Sequence, residues 1–558
     1  MKHLIKSHKI ILSLFLVIAF QSSCTKDFEE MNKDPNNPVD VPAINIFTNA
    51  VNSTFGAELG GWMQHTYLGV WCQQWCKVQY IDEDRYQPRD MSGYFEGPYT
   101  SSLKNLTIVI SKTTKSGDDR LRAAAKVLRA QNFLYLTDLW GDIPYSEALQ
   151  GFSADGTITP KYDSQESVYN ALLTELEEAN VLLTGTTVNF GSGDILYGGD
   201  PVLWRKLANS LKLRMLNRAA GTPWSFTYDM AGSQADVVTT AGAAALSGAD
   251  AQIAAILGNP SQYPVFDSND DNAALVYPGL PYRNPIYNTL YSRTDQAISE
   301  TMVNWLKART DPRIHIYAQP TPNSVATPPL AYVGFQNGRE ITSAPFPAVS
   351  LLGTEVAYNE TAPLYMMCYD EVQFIKAEYY LRAANDAAAK TAYEAGIAAS
   401  MERWGLNNGS TVYPTWGKLD ITTGSTGYPV NYATYLADPL VAWGGTNAKK
   451  FQLICEQRWA GMYGQGVQAY CEVRRTGFPE RIFEYELAGA YYQNLGLPIR
   501  LQYALTEDIY NTDNVVAAKG TQNIESINEG MFSTSGTSSQ MWWHTRKNPV
   551  PTELNILK

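Results

Sequence analysis

The stretch Leu121-Arg-Ala-Ala-Ala-Lys-Val-Leu-Arg-Ala-Gln-Asn-Phe-Leu-Tyr-Leu-Thr-Asp-Leu-Trp140-Gly-Asp-Ile-Pro-Tyr145 leaves this chain few options. Its first half is filled with good helix formers. Arg122, Lys126 and Arg129 fall on one narrow polar stripe. Leu121, Ala125, Leu128, Tyr135, Leu136 and Leu139 form an apolar face that Ala124, Val127, Ala130 and Phe133 widen. A helix apolar on most of its sides has to be sandwiched between neighbours. Gly141 can supply a left-handed residue past the last turn, and Pro144 prevents continuation. The spacing therefore predicts one long buried helix with a hard stop at Trp140-Gly-Asp-Ile-Pro-Tyr145.

Other stretches repeat the helical period. Residues 44–80 read as mainly helical, with a break at Ile81-Asp-Glu-Asp-Arg-Tyr86, and 94–111 read as another helix. Asp163 and Glu166 have the spacing of a capping box ahead of Val168, Leu172, Leu176, Ala179 and Leu183. Asp200 can cap the next helix with Pro201 at its first position, ahead of a Trp204, Leu207, Ala208, Leu211, Met215 stripe. Helical hairpins return at 366–404. Ala377-Glu378 and Ala392-Tyr393-Glu-Ala395-Gly396 read as tetratricopeptide-like positions about one period apart, and such units must stack to bury their faces. Residues 222–365 and 407–445 are instead rich in Gly, Pro, Thr, Asn and Tyr. The expected fold is mainly α: a tetratricopeptide-like superhelix of hairpins over about 44–220 and 366–480, with a loop-rich, ligand-facing part at 222–365 and 407–445.

The amino terminus reads as an export signal. Lys2, Lys6 and Lys9 precede an apolar run, Ile10 to Phe20, too short to span a bilayer. It ends Gln21-Ser-Ser-Cys24, and small residues before a single Cys suggest lipoprotein processing, with Cys24 acylated and residues 1–23 removed. Gln21 departs from the aliphatic residue usual there. Residues 24–43, polar and rich in Pro and Asn, read as a tether ahead of a single body at 44–558.

Several of these stretches resemble one family. "RAQNFLYLTDLWGDIPYSEA" resembles the signature helix and turn of SusD/RagB-type outer-membrane nutrient-binding lipoproteins. "PVLWRKLANSLKLRMLNRAA" is the most specific match. "WMQHTYLGVWCQQWCKVQYIDEDRY", the Asp311-Pro-Arg313 turn, "KKFQLICEQRWAGMYGQGVQAYCEVRRTGFP" and the Pro498-x-Arg-x-x-Tyr503-x-x-x-Glu507-x-x-x-Asn511 element follow in the family's order. Thr25 to Glu30 is similar to the signal that sends such lipoproteins to the cell surface. The resemblance implies a surface lipoprotein of the outer membrane that binds a nutrient, most readily an oligosaccharide, and delivers it to a SusC-like TonB-dependent transporter. An oligopeptide ligand, an anchored hydrolase of the same ligand, or a tetratricopeptide adaptor binding only protein are the alternatives.

Charge narrows the partners. The chain carries net −12, and removing residues 1–23 takes away three lysines and no acids, leaving about −15. That argues against nucleic acid and against adhesion to anionic lipid by charge. No nucleophile elbow, zincin motif, P-loop or dinucleotide fingerprint is present. The three histidines left after the signal, His65, His315 and His544, lack metal-like spacing. A zinc site of His65, Cys72 and Cys76 is a remote reading. Asp267-Ser-Asn-Asp-Asp271 is oxygen-rich but lacks the EF-hand pattern, so a solvated loop is favoured over calcium. Neither a cofactor nor a metal is expected, and no catalytic residue stands out. Cys72, Cys76, Cys368, Cys455 and Cys471 read as buried free thiols.

With 35 Tyr and 13 Trp, ring faces are the expected binding chemistry. The candidate contacts are the loop aromatics Tyr86, Tyr282, Tyr287, Tyr291, Trp416 and Tyr428, since loops on a rigid scaffold collect binding residues. Trp71 and Trp75, at i and i+4, offer a platform, though such pairs are more often core.

Overall fold

A computed structural model describes residues 41–151, 156–228, 237–239, 241–339, 345–416, 421–422, 427–480, 497–524, 531 and 539–545. Cys24 and nearly all of the tether lie outside the described residues. The chain is mainly helical, as expected, with tetratricopeptide-like hairpins. The main helices are α1 (Ala43–Ser53), α2 (Lys104–Ser116), α3 (Asp119–Trp140), α4 (Gln165–Leu182), α5 (Pro201–Ala219), α6 (Tyr369–Arg382), α7 (Asp386–Glu402), α8 (Asn447–Gly461) and α9 (Gly466–Thr476). Strands are few, and among the described residues they form six two-stranded ladders.

Helix α3 is the predicted one. The Asp118 carboxylate accepts from the Leu121 amide to start it, and Gly141, at φ 82°, ends it. Only glycine fits there, because a Cβ would collide with the Gln522 side chain as well as strain the backbone. Its polar stripe pairs with α4, Lys126 to Glu178 at 2.8 Å and Arg129 to Glu175 at 2.5 Å. The Pro498–Asn511 element closes the end of α3. Arg500 donates to the Trp140 carbonyl, the Leu501 amide to the Leu139 carbonyl, and Trp140 Nε1 to the Gln502 carbonyl at 2.6 Å. A cation on carbonyls that the helix leaves unpaired is favoured twice, by hydrogen bonding and by the helix dipole.

Three local readings are adjusted. Helix α4 is capped by Ser164, not Asp163, whose carboxylate instead accepts from the Tyr145 and Ser146 amides and ties down the turn after α3. Residues 44–80 are helical but include π-helical turns at Thr54–Leu59 and Met63–Leu68, then end in the strand Trp75–Lys77. Residues 407–445 form short ladders, Thr411–Val412 with Tyr428–Pro429 and Thr415–Trp416 with Ile421–Thr422, plus a helix at Tyr432–Leu436.

Helix α5 is capped by Asp200 with Pro201 following, as read from the sequence. Its apolar stripe is buried, and so is its polar side. Arg214 donates to Glu371 at 2.6 and 2.8 Å, Asn217 to Glu378 at 2.9 Å, and Arg218 to Asp138. In the α6–α7 hairpin, Gly396 lies so close to the Phe374 ring that a Cβ would sit 2.8 Å from it. One apolar core runs from Phe47 to Trp543, and a second surrounds α6, α7 and α8. Trp71 and Trp75 are core, and the five cysteines are buried free thiols. The strand Trp75–Lys77 pairs antiparallel with Gln296–Ile298, which fixes the first helices against the loop-rich part.

Candidate ligand-binding surface

Tyr287 and Tyr291 come together, with Tyr282 just ahead of them in the chain, and the local sequence explains how. Asn284 Oδ1 accepts from the Ile286 and Tyr287 amides, while its Nδ2 donates to the Ala362 carbonyl at 2.8 Å. This caps the helix Pro285–Leu290, with proline at its first position. Tyr287 and Tyr291 are then one turn apart and stack, with centroids at 5.4 Å and planes at 17°. The Arg283 guanidinium lies 5.4 Å over the Tyr287 ring and pairs with Glu360 at 2.6 Å. Tyr282 is 72% exposed and Tyr291 45%.

The turn Gly60-Gly61-Trp62 abuts this helix. A Cβ on Gly60 would be 2.9 Å from Pro285, so the approach needs glycine. Trp62 is half-exposed, with the Arg293 guanidinium 5.6 Å over its ring. Arg293 forks onto Asp295 at 2.7 and 2.8 Å, and Lys77 reaches the same carboxylate at 2.6 Å. Burial pushes the Asp295 carboxyl up, but these two cations outweigh it and hold it down at about 2. Tyr80, just after the strand Trp75–Lys77, is 72% exposed. Sequence reasoning missed Trp62 and Tyr80. The Gly60-Gly61 pair was the available signal, since it marks where a helix gives way to a close approach.

The other predicted contacts are elsewhere. Tyr86 is a correction: it is buried, edge-on to Trp71 at 5.9 Å, and faces the core. The Asp82–Tyr86 turn folds inward because the Glu83 carbonyl accepts from the Tyr86 amide and from Trp71 Nε1. Trp416 pairs its backbone with Ile421, and its side chain lies outside the described residues. Tyr428 lies on a separate cavity wall, stacked on His315 at 4.0 Å.

The acidic loop at 267–271 is a folded cap. The Asp271 carboxylate accepts from Lys206 at 2.8 and 2.9 Å and from the Asp267 amide at 2.8 Å. Among the described residues, no group of three or more His, Cys, Asp or Glu could hold a metal ion. Nor is any described helix long and apolar enough to cross a membrane.

The profile of a SusD-like family, described as starch-binding and associating with the outer membrane, matches residues 35–504. The chain belongs to this SusD-like family. Its fold is similar to that of a SusD homologue from Bacteroides fragilis at 22% identity, TM-score 0.69, covering 91% of this chain and 100% of that one. A second SusD homologue from Bacteroides fragilis matches at 21% identity and TM-score 0.72, over 90% of this chain and 100% of that one. A chitin-binding SusD homologue from Flavobacterium johnsoniae matches at 22% identity and TM-score 0.66, over 90% and 98%. No curated protein sequence matches the chain.

Proposed function

We propose that this protein is a lipid-anchored, cell-surface binding protein of the outer membrane that captures an oligosaccharide and passes it to a SusC-like TonB-dependent transporter. The observation that carries the reading is the stacked Tyr287–Tyr291 pair, with Tyr291 exposed and with Tyr282 and Trp62 exposed on the segments next to its helix. Sugar rings present C–H faces that pack on aromatic rings, and Tyr and Trp combine an apolar body with a polar tip. The arginines there are already paired, Arg283 with Glu360 and Arg293 with Asp295, which favours an uncharged ligand over an acidic one. Ring faces and paired ions bind by contact, so the reading is binding, not catalysis. Family membership supports the outer-membrane setting.

The test is calorimetric titration of mature protein with maltoheptaose, chitohexaose and a mixed oligopeptide library. Binding of one of the two sugars is expected. Changing both Tyr287 and Tyr291 to Ala should weaken it at least about tenfold, the worth of one to two ring contacts. Tyr291 is exposed and Tyr287 half-buried, so the melting temperature should fall only slightly. Binding of peptides alone would refute the glycan reading.

The anchor and the transporter rest on the amino-terminal sequence and the family. A Cys24→Ala variant should leave the membrane fraction when the transporter gene is absent. Wild-type protein pulled from native outer membranes in mild detergent should bring one large β-barrel protein in near-equal amount. A soluble wild type, or recovery of this protein alone, would count against that part.

A further inference from the structure

The Tyr428 wall belongs to a cavity of about 860 Å³ that shares no lining residue with the surface above. That volume is within the roughly 300–1,000 Å³ usual for small-molecule sites. Two distant parts of the chain close it, residues 309–315 on one side and 428–438 on the other, with Met401 from α7 between them. The Asp311-Pro-Arg313 turn locks the two together. The Asp311 carboxylate accepts from Arg313 at 2.6 Å and from the Tyr435 hydroxyl at 2.5 Å, and Gln457 donates to that hydroxyl at 2.9 Å. The cavity is therefore preformed, which spares a ligand the cost of ordering it.

Its chemistry is specific. Tyr428 stacks on His315 with planes 23° apart, and Tyr428 is itself only half-buried. The Tyr332 hydroxyl, 2.8 Å from His315 Nδ1, fixes the imidazole beneath it. Burial pushes His315 down to about 4, so the imidazole is neutral at physiological pH. The Arg309 guanidinium is stacked at 4.1 Å on Trp305 and paired with Glu456 at 2.6 Å. The lining thus offers an aromatic face, hydrogen-bonding groups and no uncompensated cation, with Asp438 at the rim to repel an anion.

We propose that this cavity is a second, separate site that takes a ring of an uncharged saccharide, packed on Tyr428 and hydrogen-bonded by Asn431, Thr434 and Asp438. The proposal rests on the glycan-binding reading but not on the first surface.

The test uses full-length mature protein with maltoheptaose and chitohexaose, and a variant carrying Tyr282→Ala, Tyr287→Ala and Tyr291→Ala. That variant should retain binding. Adding Tyr428→Ala should cut what remains about tenfold. Ala437→Trp, which fills the cavity from its exposed rim and leaves the Tyr428–His315 stack alone, should do the same. The His315 imidazole resonance should shift on adding sugar to the triple variant. Loss of all binding in the triple variant, while wild type binds, would overturn the second site and leave the first standing. Residual binding indifferent to both Tyr428→Ala and Ala437→Trp would also overturn it. Failure of wild type to bind either sugar would overturn both readings.

Discussion

Glu58 carries its proton at neutral pH. It sits in the π-helical turn Thr54–Leu59, 2% exposed, where burial pushes its carboxyl up to about 8 and a hydrogen bond from Ser102 only partly opposes this. Such a shift in an open cleft would suggest a general acid. Here the group is enclosed in the core, and its consequence is for stability. The folded state holds the proton more tightly than the unfolded chain does. The contribution of this group to stability is therefore greatest below the ordinary glutamate value of 4.5 and declines as pH rises towards 8, by roughly 1.4 kcal/mol per pH unit. A Glu58→Gln variant keeps the uncharged shape without the titration. It should match wild type at pH 4.5 and exceed it increasingly up to pH 8, read as the difference in urea midpoint. A gap between the two proteins that stays constant with pH would mean Glu58 is ionised when folded.

Elements were legible where their signal is local. Asp200-Pro201 at the start of α5 and Gly141 at the end of α3 need only their own neighbours to act, and both do what their chemistry dictates. The apolar stripes of α3 and α5 also pointed inward as read. What the periodicity could not show is that the polar residues between them are buried too. Asp138, an acid next to Leu139 of the α3 stripe, is buried and accepts from Arg218, from the Tyr169 hydroxyl at 2.5 Å and from Trp543 Nε1 at 3.0 Å. Those partners are tens to hundreds of residues away, and no window on the sequence contains them. The site was half-legible for the same reason. Tyr287 lies in the helix Pro285–Leu290 and Tyr291 caps its end, so their spacing sufficed. Tyr86 was misplaced because a turn rich in acids and Arg reads as exposed, while its inward fold is set by Trp71. Trp62 was missed because its exposure depends on Gly60 meeting Pro285.

At the scale of the molecule, buried ions join the helices that the apolar cores leave as separate layers. Arg475 of α9 forks onto Glu378 of α6 at 2.8 Å in both bonds and reaches Glu472 at 2.8 Å. Arg458 of α8 contacts Glu371 at 3.1 Å and Glu472 at 3.0 Å, while Arg214 of α5 shares Glu371. Each ion lost its water on folding, so the network holds only while all partners are charged. Burial pushes the Glu472 carboxyl up, but Arg458, Arg475 and Arg218 together draw it down to about 2. A depressed folded value means the stabilisation is present above the ordinary 4.5 and lost as pH falls towards 2. For this one group that is on the order of 3 kcal/mol. Glu472→Gln would remove the one carboxylate that Arg458, Arg475 and Arg218 share, leaving these three buried cations with only Glu371, Glu378 and Asp138 to balance them. It should cost roughly 3–5 kcal/mol at pH 7, the range for breaking a buried pair. The deficit against wild type should then shrink as both are titrated towards pH 2, because wild type loses the same charge by protonation. Urea unfolding of the two proteins at pH 7, 4.5 and 3 measures it. A deficit that stayed constant down to pH 3 would show that the arginines hold their places without Glu472, and that the layers are joined by packing alone.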